Sequence, residues 1–464
     1  MKYRLPELEV PTDNPFQHDA LERKPLVEFL ASLIGRLEGP FVLALDSPWG
    51  TGKTTIVKML QAKLTMDQYQ CVYFNAWRVD YVTDPLVALV SALDDIHLTD
   101  DGAESVFREH LKTAKKITSA VAKRAVVASV KAATLGILDI EEDLEKIAAD
   151  AAGEVAGNLV DVFQREKQAL EKFRVEVEKA IKQLKAAGKK ESLVFFIDEL
   201  DRCRPTFAIE MLERIKHLFD VPNIVFVLSV DKSQLEASTA AVYGEKINAP
   251  EYLRRFIDIE YALPLPKGKK FIEALFARFN LDDVFAKRTH TELRYDRQQF
   301  IDFFTLIADA AQISLRARER CLTRLVVVMD QTPENHYLFP PMVALLIVIR
   351  ASKPDLFAAL RSGFATAAEV MAYLKELPGG NEVVADRDGA ILEMGLLLAD
   401  ENRERKEKAI SELRTAADVE KTNQVSGRAS ELLEMARYFQ SYRSDGPRLG
   451  SLLDKIDLSA GVRN

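Results

Sequence analysis

The stretch Asp46–Lys58, D-S-P-W-G-T-G-K-T-T-I-V-K, constrains this chain more than any other. The apolar run Phe41-Val42-Leu43-Ala44-Leu45 leads into it, and a helical pattern from Thr54 to Leu64 leads out. Strand, glycine-rich turn and helix in that order make a phosphate-binding loop. Gly50 and Gly52 let the backbone bend so that successive N–H groups face phosphate oxygens, and the new helix adds its positive end. The expected cradle is Trp49, Gly50, Thr51, Gly52, Lys53, Thr54 and Thr55. Lys53 would reach the β- and γ-phosphates and Thr54 would place its hydroxyl on Mg²⁺. Ser47 stands where the pattern G-x-x-x-x-G-K-[ST] has its first glycine, so a small residue replaces the most permissive one. A chance glycine-rich turn is the competing reading, and the strand and helix on either side argue against it.

The 464 residues allow about two or three domains. A net charge of −8 argues against a surface dominated by nucleic-acid binding. Cys71, Cys203 and Cys321 lie far apart in no metal-type spacing and read as reduced thiols of a cytoplasmic protein. The six histidines do not cluster, which gives a metal hydrolase no support. The start, M-K-Y-R-L-P-E-L-E-V, lacks the apolar core of a signal peptide, and no uninterrupted run of ~18 apolar residues suggests a membrane span.

The remaining strands point to where chemistry collects. Cys71–Trp77 reads as a second strand, with Asn75 and Trp77 at its C-terminal end, the end that carries the ligand crevice in open α/β sheets. Ser192–Asp198 is apolar throughout, as a strand buried on both faces must be. It ends in Asp198, able to hold Mg²⁺ near Thr54, and Glu199, able to orient and deprotonate an attacking water. Two adjacent carboxylates at a buried strand end are costly without a cation. The cap of a helix starting near Pro205 could explain Asp201 but not Asp198. Asn223–Asp231 is a fourth strand, and Ser229 and Asp231 sit at its end, where a polar residue could sense the γ-phosphate or hold the attacking water, although strand ends are polar in any case. A short helix and a fifth strand follow over Glu251–Pro266. Arg254 and Arg255 there are arginine-finger candidates, within the chain or into a neighbour, or else an ordinary surface pair.

Before the first strand, Leu21–Leu37 has helical spacing, and Phe16 or Arg23 could touch an adenine there or simply pack. Residues 105–190 read as a helical insertion. Its basic stretch 112–131 could meet an anionic membrane surface peripherally, or face the acidic run 139–154. Residues 159–187 form an amphipathic pattern suited to a helical hairpin. From Lys267 onward only helical patterns recur, among them Leu315–Met329, Met342–Arg350 and Ala385–Arg405. Arg316, just after Ser314, is the candidate for a lid contact with nucleotide. The expected organisation is α/β: a core of 1–104 and 191–266 with a parallel sheet flanked by helices, an insertion at 105–190, and an α-helical lid and C-terminal region at 267–464.

Taken together, W-G-T-G-K-T-T at 49–55, F-N-A-W at 74–77, F-I-D-E-L-D-R-C at 196–203, V-L-S-V-D at 227–231 and Tyr252-Leu253-Arg254-Arg255 resemble the KAP family of P-loop NTPases over about residues 15–350. The resemblance implies an ATPase with a glutamate beside its Mg²⁺ aspartate and a sheet with the phosphate-loop strand central. By position it implies ATP and Mg²⁺ as cofactors, Lys53 and Thr54 on phosphate and metal, Asp198 on Mg²⁺ and Glu199 as catalytic base. Many members carry transmembrane helices where this chain has its charged insertion, so membrane residence does not carry over. Relatives in phage-defence loci imply a defence role with protein partners or a homo-oligomer. The expected function is an ATP-hydrolysing conformational switch. A nucleotide-locked scaffold that recruits partners is the first alternative. A nucleic-acid-stimulated motor is the second, disfavoured by the acidic balance and by the lack of aromatic–basic interleaving.

Overall fold

A computed structural model of the chain describes residues 2–6, 8–37, 39–82, 84–135, 164, 167–264, 268–334, 336–418, 424–442 and 448–458. The chain forms two compact units, Leu8–Leu265 and Met1–Glu7 with Pro266–Asn464.

The first unit is built on five parallel strands: β1 (Phe41–Asp46), β2 (Gln70–Asn75), β3 (Leu193–Asp198), β4 (Ile224–Val230) and β5 (Ile259–Ala262). Their order across the sheet is β2-β3-β4-β1-β5. The phosphate-loop strand β1 is therefore interior but not the middle strand. β4 holds the middle and separates β1 from β3. The second strand stops at Asn75, and Trp77 opens a 3₁₀ turn, Trp77–Val79, beyond it.

Period-two alternation fixes the layers. Leu43, Leu45, Val194, Phe196, Val225 and Val227 face helices α1 (Lys24–Ile34) and α2 (Lys53–Met66). Val42, Ala44, Phe195, Ile197, Phe226 and Leu228 face the other way. That second face is covered by α3 (Pro85–Ala92), α4 (Asp101–Leu135), α5 (over 167–186) and α6 (Pro205–Leu218), which contribute Leu89, Phe107, Val177 and Met211. With both faces covered, β3 and β4 bury every residue, which is why they read as unbroken apolar runs. A row of rings, Phe74–Phe195–Phe226–Phe219, crosses this layer with centroids 5.5 to 6.2 Å from their neighbours.

α4 and α5 pack together through Phe107, Leu111, Phe173 and Val177, with His110 Nδ1 2.7 Å from Glu176 Oε2. The side chains of 119–135 on α4, the acidic run 139–154 and the start of the 159–187 pattern lie outside the described residues, so the peripheral membrane contact expected of 112–131 remains an expectation. No described helix is long and apolar enough to cross a membrane.

The second unit is helical. Its core runs along α13 (Pro340–Ser352), whose residues from Pro340 to Ile349 are all buried. Around it lie α9 (Lys269–Phe279), α10 (Leu281–Ala286), α11 (Asp296–Ala310), α12 (Leu315–Asp330), α14 (Pro354–Arg361), α15 (Ala367–Glu376), α16 (Gly380–Ala385), α17 (Arg387–Ala399), α18 (Arg403–Asp418), α19 (Gln424–Tyr442) and α20 (Leu449–Ile456). The single pattern over Ala385–Arg405 divides at Asp400, where the backbone turns extended and α17 ends. The helical pattern had not marked α10, α16 and α20, which are six to eight residues long and too short to display a period. Leu5 is buried in this unit's core, and Arg278 donates to the Pro6 carbonyl at 2.8 Å.

Phe226 sits between the rings of Phe195 and Phe219, so replacing it leaves a void that neighbouring strands cannot close. Phe226→Ala should cost about 3–5 kcal/mol, read as a lowered midpoint in urea unfolding of the full chain.

Candidate functional site

The C-terminal ends of β1, β3 and β4 supply the site, because parallel strands bring all their exits to one edge of the sheet. Register sets which residues meet. Asn75 on β2 lies opposite Asp198 on β3, Asp198 opposite Ser229 on β4, and Ser229 opposite Leu45 on β1.

After β1 the loop turns through Gly50 at φ 79° and Gly52 at φ 91°, left-handed values that favour glycine. Ser47 is not in that region, so the missing first glycine costs the backbone nothing. Its hydroxyl instead bridges the loop, donating to Thr51 Oγ1 at 2.8 Å, while Thr51 Oγ1 donates to the Pro48 carbonyl at 2.9 Å. Gly52 caps α2, which begins at Lys53. Thr54 and Thr55 are half-buried in its first turn, and Trp49 stands exposed on the loop.

Lys53 is buried and folded onto its own loop, with Nζ donating to the carbonyl of Ser47 and, at 3.3 Å, to that of Pro48. Burial pulls its ammonium down from the ordinary lysine value. Asp201, Asp231, Asp198 and Asp46 oppose that shift in decreasing order. Four carboxylates around one cation leave the pocket acidic, which suits a site meant to receive a cation together with a polyanion.

Asp198 is almost fully buried. Its Oδ2 accepts from Tyr73 Oη at 2.9 Å and its Oδ1 from the Glu199 N–H at 3.0 Å. Burial, then the Asp198 charge and hydrogen bond, push the Tyr73 hydroxyl well above its ordinary value, so it stays a donor. The Ser229 Oγ beside it is buried with no hydrogen-bond partner among the described residues. An orphan hydroxyl at this point is what a site built for another oxygen-rich group would leave. Among the described residues, no group of three or more His, Cys, Asp or Glu side chains is arranged to hold a metal. Magnesium fits that condition, since it takes one or two protein oxygens and completes its shell with water and phosphate. The Thr54 hydroxyl and the Asp198 carboxylate are donors of the right hardness.

Glu199 has φ 62°, a left-handed conformation that costs a non-glycine residue about 1 kcal/mol or more. It turns the chain into the 3₁₀ turn Leu200–Arg202 and points its carboxylate back over the sheet edge. There Oε2 accepts from Asn75 Nδ2 at 2.9 Å and Oε1 pairs with Arg202 Nη1 at 2.8 Å. Arg202 in turn lies 5.8 Å from the centre of the Trp77 ring. The Glu199 carboxylate is thus engaged by an amide and a guanidinium.

Asp201 does not cap α6, whose N-cap is Arg204 with no side-chain bond. Its buried Oδ2 instead accepts from Trp49 Nε1 at 2.5 Å and from the Asp231 N–H at 2.9 Å. Burial pushes its carboxyl up from the ordinary aspartate value. The Trp49 bond, then the Lys53 charge, pulls it back.

Arg254 pairs with Glu251 at 2.7 Å on the exposed end of α8 (Ala249–Leu253), and Arg255 lies 5.7 Å from the Tyr252 ring centre. Arg23 is buried and donates to the Pro264 carbonyl at 2.9 Å, while Phe16 lies beneath Lys24. Arg316 is exposed in the first turn of α12, in the helical unit, after Ser314 as N-cap. Its neighbour Arg318 turns inward and pairs with Asp309 at 2.7 Å. Residue pattern had not marked Tyr73, or Asn75 and Arg202 as partners of Glu199. Only the three-residue spacing of Arg202 from Glu199 was available as a signal.

Among known proteins, the KAP family P-loop domain matches residues 23–330. The Phage T7 exclusion protein of Escherichia coli (strain K12) is 19% identical over 268 residues, 53% of this chain and 34% of that protein, so the chain spans about a third of this relative's length. The Aeropyrum pernix ORC2 protein, solved in ADPNP-ADP complexes, aligns over 95% of this chain and 94% of its own at 14% identity. Its TM-score of 0.30 is too low to carry weight.

Ser47→Ala should keep the loop backbone and remove one buried hydrogen bond, lowering stability by about 1 kcal/mol in urea unfolding.

Proposed function

We propose, from the premise that this chain belongs to the KAP family of P-loop domains, that it binds ATP with Mg²⁺ and hydrolyses it as a conformational switch. The observation that carries the reading is the convergence of a loop-and-helix phosphate cradle with Asp198 and Glu199 at one sheet edge. Loop N–H groups and Lys53 would take the phosphates, Lys53 exchanging its bonds to the Ser47 and Pro48 carbonyls for phosphate oxygens. Thr54 and Asp198 would hold Mg²⁺, which when bound neutralises charge developing on the β- and γ-oxygens. Ser229 would hold the attacking water or the γ-phosphate, and Glu199 would accept the water's proton.

Glu199 can act only after it leaves Asn75 or Arg202. That lock favours slow turnover until something releases it, which suits a timed switch. It also gives the nucleotide-locked scaffold its one supporting observation. Arg254 or Arg255 as a finger, and Arg316 as a lid contact, belong to this reading as residues brought to the phosphates by closure or by a neighbouring copy. Phage exclusion is the cellular role that the named relative suggests.

The deciding measurement is steady-state ATP turnover across protein concentration, with mass measured with and without nucleotide. Glu199→Gln should bind MgATP and lose about 10²-fold or more in turnover. Turnover rising with assembly would favour a finger in trans. Binding without turnover in either protein would favour the scaffold. Asn75→Ala should raise basal turnover if the lock limits the rate, whereas an unchanged or lower rate would mean that Asn75 positions the base. For the cellular role, the wild-type chain expressed in a bacterial host should lower phage plating and Lys53→Ala should restore it.

A further inference from the structure

The chain has two tryptophans, and one of them, Trp49, occupies the apex of the phosphate loop. The residue is 44% exposed, which for a tryptophan costs burial it could have had elsewhere. Its N–H is nevertheless committed inward, to the Asp201 carboxylate, which is itself only 6% exposed. The same oxygen takes the backbone N–H of Asp231. One carboxylate therefore ties together three strand exits: the loop after β1, its own 3₁₀ turn after β3, and the turn after β4. Lys53 is anchored on the loop carbonyls just before Trp49, and Asp201 is the strongest of the acids acting on it.

The neighbouring contacts leave this tie little redundancy. Within the loop, the Ser47–Thr51 bridge staples the base of the turn, not its apex. Asp46 is occupied by the Lys232 N–H at 2.8 Å, and Asp231 Oδ1 by Ser233 Oγ at 2.6 Å. A hydrogen bond to an ionised acceptor is about twice as strong as a neutral one. An apex free to swing would also have to be ordered each time phosphate arrived.

We propose that Asp201 is a positioning residue for the phosphate loop, its carboxylate clamping the Trp49 indole so that the cradle is pre-formed before phosphate binds. The inference rests on the nucleotide reading of this site. Asp201 touches no phosphate in this scheme. It acts through Trp49 and through the field at Lys53.

The test combines MgATP binding by calorimetry with the indole N–H resonances of uniformly ¹⁵N-labelled full-length chain. Two such resonances are expected from two tryptophans, and Trp49→Phe assigns them by removing one. Asp201→Asn should shift the Trp49 resonance and leave that of Trp77 in place. Asp201→Asn and Trp49→Phe should each weaken MgATP about tenfold, and the double variant should be little worse than either alone. A purely structural tie would lower the thermal midpoint and leave MgATP affinity unchanged, and that result overturns the proposal. So does a Trp49 resonance that ignores Asp201→Asn. Should Asp201→Asn not fold, Trp49→Phe carries the affinity arm, since it leaves Asp201 bonded to the Asp231 N–H. A wild-type chain that binds no MgATP overturns both this proposal and the nucleotide reading. A wild-type chain that binds as tightly as both variants overturns this proposal alone.

Discussion

The register of β3 against β4, and of β4 against β1, is the constraint on which the site depends. It lines up Asn75, Asp198, Ser229 and Leu45 in one row across four strands. A slip of one residue would turn every side chain of the slipped strand to the opposite face. Such a slip would move Asp198 away from Tyr73 and bring a wholly apolar neighbour to the edge. The register is held because β3 and β4 are buried on both faces, so their large residues fit only one alignment. Stability and chemistry therefore rest on the same packing.

That packing gives the site its electrostatic character. Asp198, Asp201 and Asp231 are buried together with Lys53, and Asp46 is half-buried beside them. Each carboxylate has donors in the structure: Tyr73 on Asp198, Trp49 on Asp201, Ser233 on Asp231, and the Lys232 N–H on Asp46. Without those donors, burying four acids around one ammonium would be prohibitive. Glu199 adds backbone strain to the same edge, held in the left-handed region while Asn75 and Arg202 fix its carboxylate. Strain of that kind persists only where the surroundings over-determine it, and such places are commonly functional. The three cysteines stand apart from this chemistry, since burial pushes their thiols up to about 12.

Much of this was legible in the residues themselves. The loop, the helix starting at Lys53 and the acids ending β3 are local patterns, and a window of a dozen residues contains each of them. The second strand was carried two residues too far, to Trp77, because an aromatic after an apolar run looks the same on a strand as on the 3₁₀ turn that follows. Asp201 looked like a helix cap because it lies four residues before Pro205. What it holds instead is a tryptophan 152 positions earlier in the chain. Arg316 and Arg318 stand two residues apart on one helix, yet one is exposed and the other is buried on Asp309.

The sequence by itself determined the family, the α/β class, the phosphate loop and the carboxylates at the end of β3, since each is written in contiguous residues whose types the backbone geometry demands. Only the tertiary structure decided that β4 lies between β1 and β3. It alone decided that Tyr73 holds Asp198 from 125 positions away and that Asn75 holds Glu199 from 124. Strand order and such distant pairings follow from how whole faces pack, and no local window carries that information.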